Sequence, residues 1–251
     1  MRRRFFTDKF VNDSAYLRGE SAHHLARVLR AEPGQLYELS DGNSVRLGQI
    51  VRATRDEIEF ALSESIPSDP SRLNCTLLLS IVKFDRFEWA IEKATELGVN
   101  TIVPLAAARS EKSLISAAAK RMVRWQKILI ESAQQSRRLR APELKPISSI
   151  EEALRQFGSH AGATASARIL LSERREARPL RKVLAEFASA STAEPERSAK
   201  LAIGPEGGWT DEEFALASAA GFAEASLGQN ILRTETAVAA ALASINYALG
   251  D

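Results

Sequence analysis

The chain has 251 residues, enough for two domains, and its 45% hydrophobic and 26% charged content fits a folded globular protein, not a disordered or fibrous one. One cysteine, Cys75, excludes an internal disulfide; three histidines add too few soft ligands for a zinc site, so no metal and a reducing, cytoplasmic setting are expected. The net charge of +2 is uneven: residues 109–145 carry ten Lys or Arg against three Glu, an excess of seven that points to a polyanionic partner such as RNA.

Residues 1–64 read as a small, mainly β domain. Arg2, Arg3 and Arg4 stand beside Phe5 and Phe6, a mix that suits phosphate contact with stacking on bases, or simply a solubilising terminus. No apolar core follows this basic start, so it does not read as a signal peptide. Residues 21–30 predict a helix with Ser21 as its cap and Pro33-Gly34 beyond its end. His23 and His24 are adjacent on it and point about 100° apart. One is expected to be partly buried and the other exposed, and neither is assigned to catalysis. Residues 36–39 and 45–50 flank Asp41-Gly42, a hairpin signal, and residues 57–62 form a further strand.

Residues 65–71 hold two prolines and three serines and read as a linker, so the domains are expected at 1–70 and 71–251. The run at 75–82 is apolar enough for a strand buried on both faces. Asp85 and Glu88 have capping-box spacing ahead of a helix whose apolar stripe is Phe87, Ala90, Ile91, Ala94 and Leu97, with Gly98 as its stop. A strand at 99–105 completes a β-α-β unit, the mark of a parallel sheet. Residues 120–138 predict one long basic helix with Met122, Trp125, Leu129 and Ala133 facing the core. Ser149 and Glu152 box a helix at 150–157, a strand follows at 168–172, Pro179 opens a helix to 187, and 190–198 is a polar loop. The segment 237–249 is alanine-rich, interrupted by Ser244 and Asn246, and too short to span a bilayer; no membrane partner is expected.

The C-terminal stretch is the most informative. An apolar run ends in Gly204-Pro205-Glu206-Gly207-Gly208, and a helix follows with Thr210 and Glu213 spaced as a capping box. A short strand at 225–227 then ends at Gly228, and a second glycine-marked loop leads into a last helix that Thr234 can cap. Strand ends of this kind are where ligands sit in parallel sheets. No G-x-G-x-x-G follows any strand, which weighs against a dinucleotide.

The motifs GPEGG and LGQNILRTETA, with Lys93 to Gly98 as Lys-Ala-Thr-Glu-Leu-Gly, resemble those of the bacterial 16S rRNA (uracil-N3) methyltransferases of the SPOUT superfamily. That family's first motif opens Lys-Gly-Asp-Arg, whereas this chain has Lys83-Phe84-Asp85-Arg86. Gln229-Asn230 stands where the family usually has Pro-Arg. The resemblance implies an α/β fold in which a C-terminal parallel sheet closes into a deep trefoil knot, preceded by a small PUA-like β-barrel. It also implies S-adenosylmethionine as cofactor, 16S rRNA or the small ribosomal subunit as partner, and a homodimer. The cofactor is expected at Leu171, Ile203, Gly204, Gly208, Leu227, Gly228, Ile231, Leu232 and Thr234. Apolar side chains there supply walls, and bare backbone reads the adenine edge. Arg233 is expected to stabilise an anion developing on the base, and Glu235 or Glu206 to accept its proton. RNA is expected at Arg2, Arg3, Arg4, Lys112, Arg137, Arg138 and Arg140, since guanidinium pairs bidentately with phosphate. The alternatives are a SPOUT tRNA ribose 2′-O-methyltransferase and an RNA-binding ribosome-assembly protein without catalysis.

Overall fold

A computed structural model describes residues 3–27, 30–68, 72–158, 166–190 and 197–250. Arg2, part of the linker (69–71) and most of the polar loop (191–196) lie outside the described residues. The chain divides into two compact units, Met1–Pro70 with Ile130–Ala141, and Ser71–Leu129 with Pro142–Asp251.

The first unit contains β1 (Arg4–Phe6), β2 (Ser14–Arg18), α1 (Gly19–Arg27), β3 (Leu36–Ser40), β4 (Val45–Ala53) and β5 (Glu57–Ile66). They form one sheet in the order β1-β3-β4-β5-β2, antiparallel except for the β1–β3 pair. Alternation drives Leu39, Ile50, Ile58 and Phe60 to one face, where they pack with Phe5, Leu17 and Leu25 of α1. The predicted hairpin forms because the Asp41 carboxylate accepts from the backbone N–H of Asn43 (2.9 Å) and Ser44 (2.8 Å), while Gly42 takes φ 88°. Two expectations shift. The helix starts at Gly19, leaving Ser21 inside it instead of at its cap. Ser65 and Ile66 pair with Arg46 and Val45, so β5 continues into the supposed linker. His23 is half-buried with Nε2 2.8 Å from Asp56, and His24 is exposed, as their spacing implied.

Arg4 is a correction. Its guanidinium is buried, 2.9 Å from Glu38 and donating also to the main-chain oxygen of Arg137. Arg137, held in the left-handed region at φ 57°, approaches the same carboxylate at 3.4 Å. Arg4 is therefore a structural cation and presents nothing to RNA.

The second unit runs β6 (Leu73–Ser80), α2 (Phe84–Glu96), β7 (Thr101–Ala106), α3 (Lys112–Ala118), α4 (Met122–Gln135), β8 (Glu143–Leu144), β9 (Ser148–Ser149), α5 (Ile150–Phe157), β10 (Ser166–Leu171), β11 (Arg178–Pro179), α6 (Leu180–Ala190), β12 (Arg197–Ile203), α7 (Asp211–Ala219), β13 (Ala223–Ser226) and α8 (Thr234–Leu249). From Ile130 onward α4 groups with the first unit. All pairings in this sheet are parallel, in the order β11-β13-β10-β12-β6-β7-β8, with β9 also on β7. The central strands are apolar on both faces because both are covered. One face packs on α2, α6 and α8 through Leu77, Leu79, Phe87, Ile169 and Leu242; the other packs on α5 and α7 through Leu78, Leu170 and Ala202.

Helix starts depart from sequence expectation twice. Lys83, not Asp85, precedes α2, and no side-chain cap forms. Glu88 instead accepts from Arg124 at 2.9 Å. Arg233, not Thr234, flanks α8; Thr234 is its first residue and is buried. The predicted long basic helix forms as α4, uninterrupted over Met122–Gln135, with a tight turn at Ala119–Arg121 leading into it from α3. The boxes at Ser149 and Thr210 form as predicted.

No helix among the described residues is long and apolar enough to cross a membrane. Glu38→Gln strands the Arg4 guanidinium in a dry site and is expected to cost about 3–5 kcal/mol of stability in chemical denaturation. A loss below about 1 kcal/mol, the range of an exposed pair, would show that the ion pair is effectively solvated.

Candidate functional site

Strands β13, β10 and β12 lie side by side and parallel, so their C-terminal ends release three loops, 227–233, 172–177 and 204–210, onto one edge. Two of these are the glycine loops singled out in the sequence; the third follows Leu171.

The middle of this edge is held by Trp209. Its Nε1 donates to the main-chain oxygen of Leu171 at 3.0 Å, tying the loop after β12 to the end of β10. The indole lies over Gly204, where a Cβ would stand 3.0 Å from the ring. Gly204 is thus bare to admit Trp209 on one side while its backbone lines the cavity on another. Further ties fix the same loop. Arg86 forms an ion pair with Glu206, Arg109 donates to the oxygen of Gly207 at 3.0 Å, and Glu213 accepts from the N–H of Ala108 at 2.9 Å while boxing Thr210. Gly208 has φ 70°, and a Cβ there would stand 2.4 Å from Glu173 Oε1. The loop after β10 is shaped by the Ser172 N–H donating to the oxygen of Ala225 (2.9 Å) and by the Arg174 N–H donating to Ser172 Oγ (3.1 Å).

The loop after β13 is different. Among the described residues, no main-chain group from 227 to 232 bonds to another part of the backbone. Gly228, at φ 137°, has open space where a side chain would point, and Ile231 is 84% exposed. Polar backbone left unpaired beside apolar side chains suits a flat heteroaromatic ligand with edge donors and acceptors.

The three loops enclose a cavity of about 380 Å³, inside the range of small-molecule sites. Leu171, Ile203, Gly204, Gly208, Leu227, Gly228, Ile231, Leu232 and Thr234 all line it, as do Glu206 and Arg233. Glu235 is not among the lining residues, although its Oε2 is buried without a partner in the first turn of α8. Arg86, Glu173, Trp209, Gln229 and Asn230 also line the cavity and were missed. A signal for Glu173 existed: Leu171 was recognised as a wall, and the strand end after it had to open onto the same edge. Arg86 carried a partial signal as the last residue of the Lys83–Arg86 motif, but its approach to Glu206 depends on how α2 leaves β6.

Of the charged side chains around the cavity, Arg86 and Glu206 neutralise each other. Arg233 is exposed and, among the described residues, has no ion-pair partner; the same holds for Glu173. The expected RNA residues are spread more widely. Arg3 and Arg140 are exposed on the first unit, Arg137 and Arg138 are half-buried there, and Lys112 is exposed on α3 of the second. No cluster of His, Cys, Asp or Glu suited to a metal occurs among the described residues.

A doubly covered parallel sheet with a backbone-lined cavity across three adjacent strand ends defines a class of α/β domain that seats a nucleoside-sized ligand. The family model for the RNA methyltransferase domain matches residues 69–246. The chain is 31% identical over 249 residues to the ribosomal RNA small subunit methyltransferase E of Synechocystis, covering 96% of this chain and 76% of that one. It superposes on a ribosomal RNA small subunit methyltransferase E of Neisseria gonorrhoeae, solved bound to S-adenosylmethionine, with TM-score 0.83 and 30% identity over 100% of this chain and 99% of that one. A Legionella pneumophila protein solved with the same cofactor superposes with TM-score 0.84 and 29% identity, again over 100% and 99%. The chain belongs to this RNA methyltransferase family and, within it, to the ribosomal RNA small subunit methyltransferase E proteins.

Gly208→Ala forces a side chain into the left-handed region and onto Glu173. The backbone strain alone is expected to cost about 1–2 kcal/mol, read as a lowered denaturation midpoint. An unchanged midpoint would mean that the loop relaxes freely and is not held as described.

Proposed function

We propose that the chain is an S-adenosylmethionine-dependent methyltransferase acting on N3 of a uridine in 16S rRNA of the small ribosomal subunit. The observation that carries this reading is the cavity over three strand ends, with unpaired backbone at 227–232 and apolar walls at Leu171, Ile203, Leu227 and Leu232. The donor set fits the cofactor: backbone for an adenine edge, apolar surface for its rings, and a carboxylate without an ion-pair partner among the described residues for its positive charge.

S-adenosylmethionine supplies an electrophilic methyl group on a positively charged sulfur. The chain's task is to hold the base N3 in line with that methyl and to accommodate the charge that appears when N3 loses its proton. Rigid alignment of this kind can take about 7–11 kcal/mol from a barrier, and the ties made by Trp209, Arg109 and Arg86 supply the rigidity. Arg233, at the cavity and with no ion-pair partner among the described residues, is the group proposed to stabilise the developing anion. Glu206 lines the cavity with its carboxylate already engaged by Arg86; it orients the loop and is the candidate proton acceptor among the lining residues. Glu235 lies outside the lining and is left with the ordinary role of a carboxylate in a helix first turn.

In this reading the domains lie at 1–70 and 71–251, the first a PUA-like RNA-binding barrel. Arg3, Lys112 and Arg140 are the exposed cations proposed to meet phosphate, together with the half-buried Arg137 and Arg138. A trefoil knot is proposed for the C-terminal sheet. It is supported by β13 lying between β10 and β11, two strands joined directly by 172–177, so that connection stands across the path of the chain. A homodimer through α8 is also proposed, supported by its small residues and by Tyr247, 95% exposed.

Arg233→Ala is expected to lower kcat on 16S rRNA by about 100-fold or more, the scale for losing one preorganised anion-stabilising group, with cofactor affinity nearly unchanged. Mass mapping of 16S rRNA from cells lacking the gene should show one methyluridine missing. Persistence of that mark, or loss of a tRNA ribose methyl instead, would overturn the target.

A further inference from the structure

The charges around the cavity do not balance within the protein. Arg86 and Glu206 satisfy each other, whereas Glu173 has no ion-pair partner among the described residues. Its neighbour offers no relief: the Arg174 guanidinium sits 3.6 Å over the Phe214 ring and pairs with Asp211. The position of Glu173 is built, not incidental. The turn closed by Ser172 Oγ and the Arg174 N–H sets it at the corner of its loop. Gly208, lacking a Cβ, leaves room for its carboxylate against the facing loop, at the place where a Cβ would come within 2.4 Å of Oε1. A carboxylate held at a ligand cavity without a protein cation recognises a cation or a hydrogen-bond donor brought by the ligand. S-adenosylmethionine brings two positive groups, the sulfonium and the ammonium, against one carboxylate.

Resting on the cofactor reading above, we propose that Glu173 is the residue that reads the positive charge of the cofactor and makes the cavity prefer the charged methyl donor over uncharged thionucleosides of similar shape. The product, S-adenosylhomocysteine, has lost the sulfonium charge, so the same carboxylate favours release of product over substrate. Arg233 on another loop is left for the nucleobase, and the two free charges divide the work between the two reactants.

The test is isothermal titration of the full chain and its Glu173→Gln variant with S-adenosylmethionine, S-adenosylhomocysteine and methylthioadenosine. The last keeps adenine, ribose and sulfur but carries no charge. Losing a charge-assisted contact should weaken S-adenosylmethionine about tenfold or more in the variant, with methylthioadenosine held within about twofold. Raising ionic strength should erode the wild-type preference for the charged ligand and leave the variant's affinities flat. A matched thermal midpoint for both proteins checks that the exposed substitution leaves the fold intact. Equal weakening for all three ligands would mean a ribose contact, and no weakening would mean an idle carboxylate; either overturns the proposal. If the wild-type chain binds none of the three, the cofactor reading itself fails, a result distinct from those two.

Discussion

The bond from the Trp209 indole to the carbonyl of Leu171, with the ring lying on Gly204, joins the ends of two neighbouring parallel strands through one side chain. Parallel sheets leave their strand ends as separate loops, and nothing in the ladder fixes one loop against the next. Here a buried aromatic fills that gap, and its only polar atom is satisfied by the strand beside it. The loop after β12 can then rest on Arg86, Arg109 and the Thr210–Glu213 box without losing its shape. The loop after β13, by contrast, makes no bond from 227–232 to other backbone among the described residues, which is the state in which main chain can serve a ligand.

Charge follows the same division between structure and use. The basic stretch at 109–145 looks like a single polyanion-binding field in the sequence, yet several of its members are committed within the protein. Arg124 and Arg121 turn to Glu88, Arg137 to Glu38, Arg109 to the carbonyl of Gly207 and Lys145 to Glu143. What remains exposed without an ion pair among the described residues is a smaller set that includes Lys112 and Arg140. Composition counts charges; only the fold decides which are already paired.

Much of the architecture was legible because it depends on local pattern. The parallel sheet follows from apolar runs alternating with amphipathic helices, and the boxes at 149 and 210 follow from a three-residue spacing. The cavity residues were legible because two glycine-marked loops follow strands and match the motifs that carry the resemblance. What failed depended on partners distant in the chain. Asp85 with Glu88 has capping-box spacing, but Arg124, 36 residues away, takes Glu88. Arg4 sits in an arginine run that looks like a nucleic-acid arm, and Glu38, 34 residues away, takes it. Phe84 packs edge-on against Trp125 at 6.1 Å and receives the Arg121 guanidinium on its face at 4.7 Å. This contact between two helices is visible only once they are assembled.

The central claim is that main chain held between Trp209 and the open loop at 227–232 receives the methyl donor. The most direct measurement is a crystal structure of the chain with S-adenosylmethionine bound. The account predicts the adenine edge on the backbone of 227–232, Trp209 still bonded to Leu171, and the sulfonium methyl facing the side of the cavity that holds Arg233. Cofactor bound elsewhere, or bound only after Trp209 has left Gly204, would contradict it.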